Sequence, residues 1–314
     1  MKFSIIICGY NEAKHLDNCL ESCVNQSYPK NLYEVIYVDN NSTDGSLAIA
    51  QKYPIVAVTE EKQGPSEARN KGMEVARGEI FLYVDSDATL DSNYLSVCER
   101  ALEPEEIGAG MGKVYPSHPT LMSNYLGVSL FERYLRYNQK RYILSAASCN
   151  LSLKRSVIQK VGKFSTQSCF LLPSAEDKEL SARIRKGGYK IVFEPHMFIH
   201  HDNPDTFKRL YKIWIKKSIA RVSWIRMGRK DPFSLLFKYN IPLLVVAMTL
   251  GLFFINPLIS LQIILLIVLL QLGLCLKSAF ETGLFFQSFF VKPWMDLFSA
   301  LVINVAVIYN RIRS

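Results

Sequence analysis

Glu79-Ile80-Phe81-Leu82-Tyr83-Val84-Asp85-Ser86-Asp87 is an apolar run that stops on two carboxylates spaced two apart. The run suits a buried strand, with the acids standing where that strand ends. Working outward, Phe3–Cys8, Tyr33–Val38 and Ile55–Thr59 read as further strands, and Lys14–Asn25, Ser46–Lys52 and Ser66–Arg77 as the helices between them. This β-α-β-α-β-α-β order predicts an α/β fold with a mostly parallel sheet flanked by helices on both faces. Such sheets bind ligands beyond the carboxyl ends of their strands. The polar clusters there are Tyr10-Asn11-Glu12, Asp39-Asn40-Asn41-Ser42 and Asp85-Ser86-Asp87. Further along, Glu176–Gly187 reads as a helix closed by Gly187-Gly188, and Ile191–Phe193 as a strand; the rest of 105–205 shows no clear period.

The chain has 314 residues and a formal net charge of +9, concentrated just before an apolar region. Residues 206–230 carry Lys208, Arg209, Lys212, Lys216, Lys217, Arg221, Arg226, Arg229 and Lys230 with no acid, interleaved with Trp214 and Trp224. A basic helix with aromatic residues suits the interface of an anionic membrane, and the apolar region behind it favours lipid over nucleic acid as partner. Leu258–Leu276 lacks formal charge and, as a helix, spans roughly 28 Å, close to a bilayer core. With Ile241–Ile255 it predicts a transmembrane hairpin over about 241–276. A weaker apolar stretch at about 294–310, followed by Arg311 and Arg313, predicts a further membrane or interfacial helix. The expected division is therefore 1–205 catalytic, 206–238 juxtamembrane and 239–314 membrane domain. The seven cysteines form no C-x-x-C pair and read as reduced core thiols. Met1–Cys8 is too short an apolar run for a secretory signal, so the catalytic part is expected on the cytoplasmic side of a cell membrane.

Each polar cluster carries an ordinary reading beside a chemical one. Asp85 and Asp87 can share a hard cation through oxygen, or be solvated loop acids. Asp39-Asn40-Asn41-Ser42-Thr43-Asp44-Gly45 satisfies turn geometry by itself, or binds a nucleobase and ribose. In Gly64–Gly72, Ser66 can cap a helix and Arg69 can meet a phosphate, or stand as an exposed helix charge. Glu176 and Asp177 complement a helix dipole, or supply a general base. Strand alternation lets at most one of His200 and His201 face a site.

The order and spacing of these segments resembles the family 2 inverting glycosyltransferases of the GT-A fold. The resemblance rests on Ser4–Glu12, Val38–Gly45, Gly64–Asn70 with Gly72, Ala76-Arg77-Gly78-Glu79 running into Asp85-Ser86-Asp87, Cys149-Asn150-Leu151-Ser152 with Lys154-Arg155, and Glu176-Asp177 with Leu180, Arg183 and Gly188-Tyr189. It covers about 1–230. The resemblance implies a nucleotide-sugar site at Tyr10, Asn11, Glu12, Asp39, Asn40, Arg69, Asp85 and Ser86. It implies Mg²⁺ or Mn²⁺ on Asp87, with Asp85 supporting and His201, rather than His200, completing the shell. It implies Asp177 as catalytic base, with Glu176 as runner-up. Asn40 stands where the family often has a second Asp. The Gln-x-x-Arg-Trp motif of processive members is absent, and Arg221-Val222-Ser223-Trp224 does not supply it, which favours single-sugar transfer.

The expected activity is transfer of one sugar from a nucleotide-diphosphate sugar to a lipid-linked or glycan acceptor, for cell-surface glycan or glycolipid synthesis. A polyprenyl-phosphate acceptor is the alternative, and membrane lipids and a homo-oligomer are compatible partners. A sugar nucleotidyltransferase would carry a Gly-rich basic loop after the first strand, which Gly9-Tyr10-Asn11-Glu12 is not. A non-catalytic membrane scaffold is disfavoured by the retained acids at 85, 87 and 177.

Overall fold

A computed structural model describes residues 1–118, 141–166 and 176–213, with isolated positions 120, 123, 215 and 262. The expected repeat is present as β1 (Phe3–Gly9), α1 (Ala13–Val24), β2 (Tyr33–Asp39), α2 (Ser46–Ala50), β3 (Val56–Thr59), α3 (Pro65–Val75) and β4 (Ile80–Asp85). These strands run parallel in the order β3-β2-β1-β4. β1 and β2 are buried almost throughout, which is why they read as continuous apolar runs. Boundaries shift by at most two residues from the expected ones. Ser66 is not the cap of α3: Gly64 takes that place with Pro65 behind it, and the buried Ser66 hydroxyl has no hydrogen-bond partner among the described residues.

The chain from 88 onward supplies the rest, including the expected helix at 176–187 and strand at 191–193. It contributes β5 (Ala88–Leu90), α4 (Tyr94–Leu102), β6 (Ile107–Met111), β7 (Val114–Pro116), β8 (Asn150–Lys154), α5 (Arg155–Val161), α6 (Glu176–Lys186), β9 (Lys190–Phe193) and β10 (Ile199–His201). The main sheet continues β4-β8-β6-β9, with β8 antiparallel to both neighbours and β6 parallel to β9. A second sheet, β5-β10-β7, follows the end of β4. Asn150 joins the two sheets. Its amide donates to Lys113 O (3.1 Å) and Met197 O (3.2 Å) and accepts from the Tyr94 hydroxyl. Short strands separated by long connections carry little local pattern, so sequence alone does not announce them.

Two features hold the parallel half in register. A Cβ at Gly72 would stand 2.3 Å from Ile6 Cγ2, so the absence of a side chain lets α3 lie close on β1. At the amino ends, the buried Glu34 carboxylate accepts from Ser4 Oγ (2.7 Å) and Arg77 Nε (2.9 Å), and Ser4 Oγ accepts from Gly78 N (2.8 Å). Burial alone would raise the Glu34 pKa; the bonds from Ser4 and Arg77 outweigh it and hold the group ionised.

The chain forms two compact units, Met1–His118 with Arg133–Asn203, and Pro119–Glu132 with Pro204–Ser314. In the second, residues 207–213 are helical, Thr206 Oγ1 accepts from Arg209 N (3.4 Å), and Phe207 and Tyr211 are exposed. Among the described residues no helix is long and apolar enough to cross a membrane. The expected hairpin at 241–276, the helix at 294–310 and most of the basic stretch to 230 lie outside the described residues.

Candidate active site

β1 sets the geometry. Gly9 pairs with Asp39 of β2 on one side, and Cys8 pairs with Asp85 of β4 on the other. The two acids therefore flank the carboxyl end of the central strand. After Asp85 the chain turns through Ser86 and Asp87 into β5, whose Ala88 pairs with His201 of β10. This register carries His201 to the carboxylates: Nε2 lies 3.3 Å from Asp85 Oδ2 and 3.3 Å from Asp87 Oδ1. His200, on the opposite face of β10, is exposed and lies against the rings of Tyr115 and Phe198. Ser86 is buried in the turn.

Charge in this cluster is shared. Burial would raise the Asp85 pKa, but the hydrogen bond and charge of His201, with Arg69, bring it below the ordinary carboxylate value. Burial raises Asp87. Burial would lower His201, yet the Asp85 hydrogen bond and the charges of Asp87 and Asp85 push it up to about 9. The imidazolium thus stands in as counter-charge for two crowded carboxylates. One ligand atom from each of Asp85, Asp87 and His201 lies within 4.8 Å of the others. Two carboxylate oxygens and one imidazole nitrogen fit a divalent cation such as Mn²⁺ or Mg²⁺. Asp202 N donates to Asp87 O (3.0 Å), and its carboxylate is 3.6 Å from His15 Nε2. Neither Asp202 nor His15 had a signal in the sequence.

The acid pair at the start of α6 divides into two environments. Glu176 is buried, with Oε1 accepting from Arg69 Nη1 at 3.0 Å. Asp177 is half-buried, and its Oδ1 accepts from Lys178 N (2.6 Å). Burial and the neighbouring Glu176 charge push Asp177 up to about 6. Arg69 is not an exposed helix charge: it is buried between carboxylates, its Nη2 lying 3.8 Å from Asp85 Oδ1. Cys149 lies near Asp85, Asp177 and Asp87; burial and those charges hold its thiol protonated. The reading of the cysteines as core thiols did not place it at the site.

The loops after β1 and β2 are stitched together. Asn11 takes the left-handed conformation (φ 57°) and accepts from Thr43 N (2.8 Å), while its own N–H donates to Ser42 Oγ (3.0 Å). Glu12 N donates to Ser46 Oγ (3.0 Å) and Ala13 N to Asp44 Oδ2 (3.0 Å). Asp39 Oδ2 accepts from Ser42 N (2.9 Å), and Tyr37 OH lies 3.3 Å from Oδ1. Asn40 directs its side chain to the neighbouring loop. Both amide protons go to carbonyls, Glu60 O (3.1 Å) and Lys62 O (2.9 Å), and its oxygen accepts from Gly64 N (2.8 Å). Asn11 and Asn40 build the floor of the site through these bonds. Tyr10 is exposed beside them. Ser42, Asp44 and Ser46 join this floor; their only sequence signal was the Asx-rich turn.

The family profile described as glycosyl transferase family 2 matches residues 4–162. Glycosyltransferase AglE of Haloferax volcanii is 29% identical over 202 residues, covering 60% of this chain and 63% of that protein. A Methanococcus voltae protein, dolichyl N-acetyl-alpha-D-glucosaminyl phosphate 3-beta-D-2,3-diacetamido-2,3-dideoxy-beta-D-glucuronosyltransferase, is 25% identical over 256 residues, covering 74% of this chain and 78% of that one. The chain spans less than two thirds of the length of the first curated relatives it matches, 63% and 54%. Among solved structures, mannosyltransferase PcManGT from Pyrobaculum calidifontis, in complex with GDP-Man and Mn²⁺, superposes with a TM-score of 0.65 at 20% identity, covering 98% of this chain and 87% of that one. S. aureus TarS 1–349 with UDP-GlcNAc superposes at 0.51 and 20% identity, covering 75% and 76%. These likenesses carry the fold, which is GT-A. With the profile match over just over half of its 314 residues, the chain belongs to glycosyl transferase family 2.

Proposed function

We propose that the chain transfers a single sugar, with inversion, from a nucleoside diphosphate sugar to a lipid-linked acceptor at a membrane. The observation that carries this reading is the separation of two acid sets. Asp85, Asp87 and His201 form a cation-type cluster, while Asp177 stands apart on α6 with its proton affinity raised to about 6. A divalent cation on the first set would neutralise the diphosphate of the leaving group. Asp177 accepts the proton of the acceptor hydroxyl. The freed oxygen forms its bond to the anomeric carbon from the face opposite the breaking bond to phosphate, which inverts the centre. The nucleotide rests on the floor built by Asn11, Asp39 and the Ser42–Ser46 turn.

Two relatives support the donor class and the acceptor class by name: PcManGT was solved with GDP-Man and Mn²⁺, and the M. voltae enzyme is named for a dolichyl-linked sugar. The basic stretch at 206–230 and the apolar segments at 241–276 support a membrane location. A base of raised proton affinity suits a sugar hydroxyl better than a polyprenyl phosphate, whose oxygen is already anionic. The deciding experiment is nucleotide release by the purified chain with Mn²⁺, a panel of UDP- and GDP-sugars and a polar-lipid extract. Release that depends on both donor and lipid is expected; if no donor is consumed, the reading fails.

A further inference from the structure

The Arg69 guanidinium is held on three sides before any substrate arrives. Nη1 donates to Glu176 Oε1 at 3.0 Å, Nη2 lies 3.8 Å from Asp85 Oδ1, and the Phe164 ring sits 5.5 Å away. Phe164 is itself clamped. Its N–H donates to Asn70 Oδ1 (3.0 Å), its carbonyl accepts from Asn70 Nδ2 (2.9 Å), and its ring stands edge-on to Tyr83 at 5.3 Å. Arg69 and Asn70 are neighbours on α3, so one turn of that helix holds both the guanidinium and the ring against it. Arg69 keeps only 8% of its surface, and Glu176 only 2%.

We propose that the Arg69–Glu176 ion pair is a positioning device that fixes the start of α6, and so the place of Asp177, relative to Asp85. This rests on Asp177 being the base. Its physical ground is helix geometry. Glu176 and Asp177 are consecutive in the first turn of α6, so anchoring one carboxylate sets the direction of the next. A base misplaced by about 1 Å costs on the order of 10²-fold in rate. Glu176 is thereby an anchor and not a second base, and Arg69 acts through Glu176 without touching phosphate. A lysine in its place keeps charge but loses the planar fork that reaches two carboxylates at once.

The test uses the full chain in lipid with Mn²⁺, measuring UDP and GDP binding separately from nucleotide release. Arg69→Met and Glu176→Gln are each expected to lower kcat about 10- to 100-fold, with nucleoside diphosphate affinity held within about threefold of wild type. The double variant is expected to be no slower than the slower single one, and Arg69→Lys to recover part of the loss. Weakening of UDP and GDP binding by tenfold or more (estimated from the loss of one charged phosphate contact) in Arg69→Met, with kcat preserved, would overturn the inference in favour of a phosphate ligand. Losses that multiply in the double variant overturn it as well. Should Arg69→Met fail to fold, the double variant leaves neither charge of the pair unmatched, and its kcat and nucleotide affinity decide on the same terms. Near-normal turnover in Asp177→Asn overturns the base reading itself, an outcome distinct from normal turnover in Arg69→Met alone.

Discussion

Arg69 and Glu176, 107 positions apart in the chain, meet at 3.0 Å beneath the candidate site. One belongs to the parallel half of the sheet, on α3, and the other to α6. The contact links the side of the fold that holds Asp85 to the side that holds Asp177. Both partners are buried, so losing one leaves an uncompensated charge, which typically costs about 3–5 kcal/mol.

Asp177→Asn should retain nucleoside diphosphate binding while transfer falls by about 10²–10⁴-fold, the range expected for removal of a general base. Isothermal titration with UDP and GDP beside a nucleotide-release assay separates the two effects. Near-normal transfer would remove Asp177 from the role.

The pH profile should carry the same signature. Asp177 acts only when deprotonated, and burial with the Glu176 charge places its pKa at about 6. Activity should therefore be present above that value and fall about tenfold per pH unit below it. An acidic limb centred near the ordinary carboxylate range, about 4, would contradict the assignment.

Removing Asp87 or His201 should abolish the cation dependence of nucleotide affinity. In Asp87→Ala and His201→Ala, titrations with and without Mn²⁺ are expected to coincide. A chelator should silence the wild type reversibly. Unchanged cation dependence in both variants would refute the cluster as the metal site.

Asn40→Asp restores the residue that resembling sequences often carry, yet it should destabilise this chain. Two amide protons that now reach Glu60 O and Lys62 O would be replaced by oxygen facing oxygen. Loss of two buried bonds with repulsion predicts about 2–4 kcal/mol, read as a lower midpoint in urea. A midpoint equal to wild type would show that the loop can rearrange around a carboxylate.

Gly72→Ala should cost about 1–3 kcal/mol by overpacking, since its Cβ would stand 2.3 Å from Ile6 Cγ2. Chemical denaturation with an unchanged m-value would confirm a stability effect. In an Ile6→Ala background, which lacks that Cγ2, the same glycine substitution should cost less, unless the clash is relieved elsewhere.

The parallel half was legible because its information is local. β1, β2 and β4 are continuous apolar runs, and the acids Asp39 and Asp85 stand at strand ends, where register alone brings them to either side of β1. The candidate base pair was legible as residues, and the resemblance ranked Asp177 before Glu176; their environments were not legible. Glu176 and Asp177 are adjacent and chemically alike, and only the approach of Arg69 from α3 separates them into a buried anchor and a half-buried acid. The resemblance put His201 ahead of His200, but what carries it to the carboxylates is β10 pairing with β5, a contact between positions more than a hundred residues apart. The same holds for Asn40, whose partners lie across the turn after β3, and for Asn150, which joins two sheets that no local pattern predicts. Residue type and spacing settle which side chains are available and on which element each sits. Which of them face one another, and therefore which carry charge, hold a cation or merely brace a loop, was decided by long-range strand pairing that no local window of sequence contains.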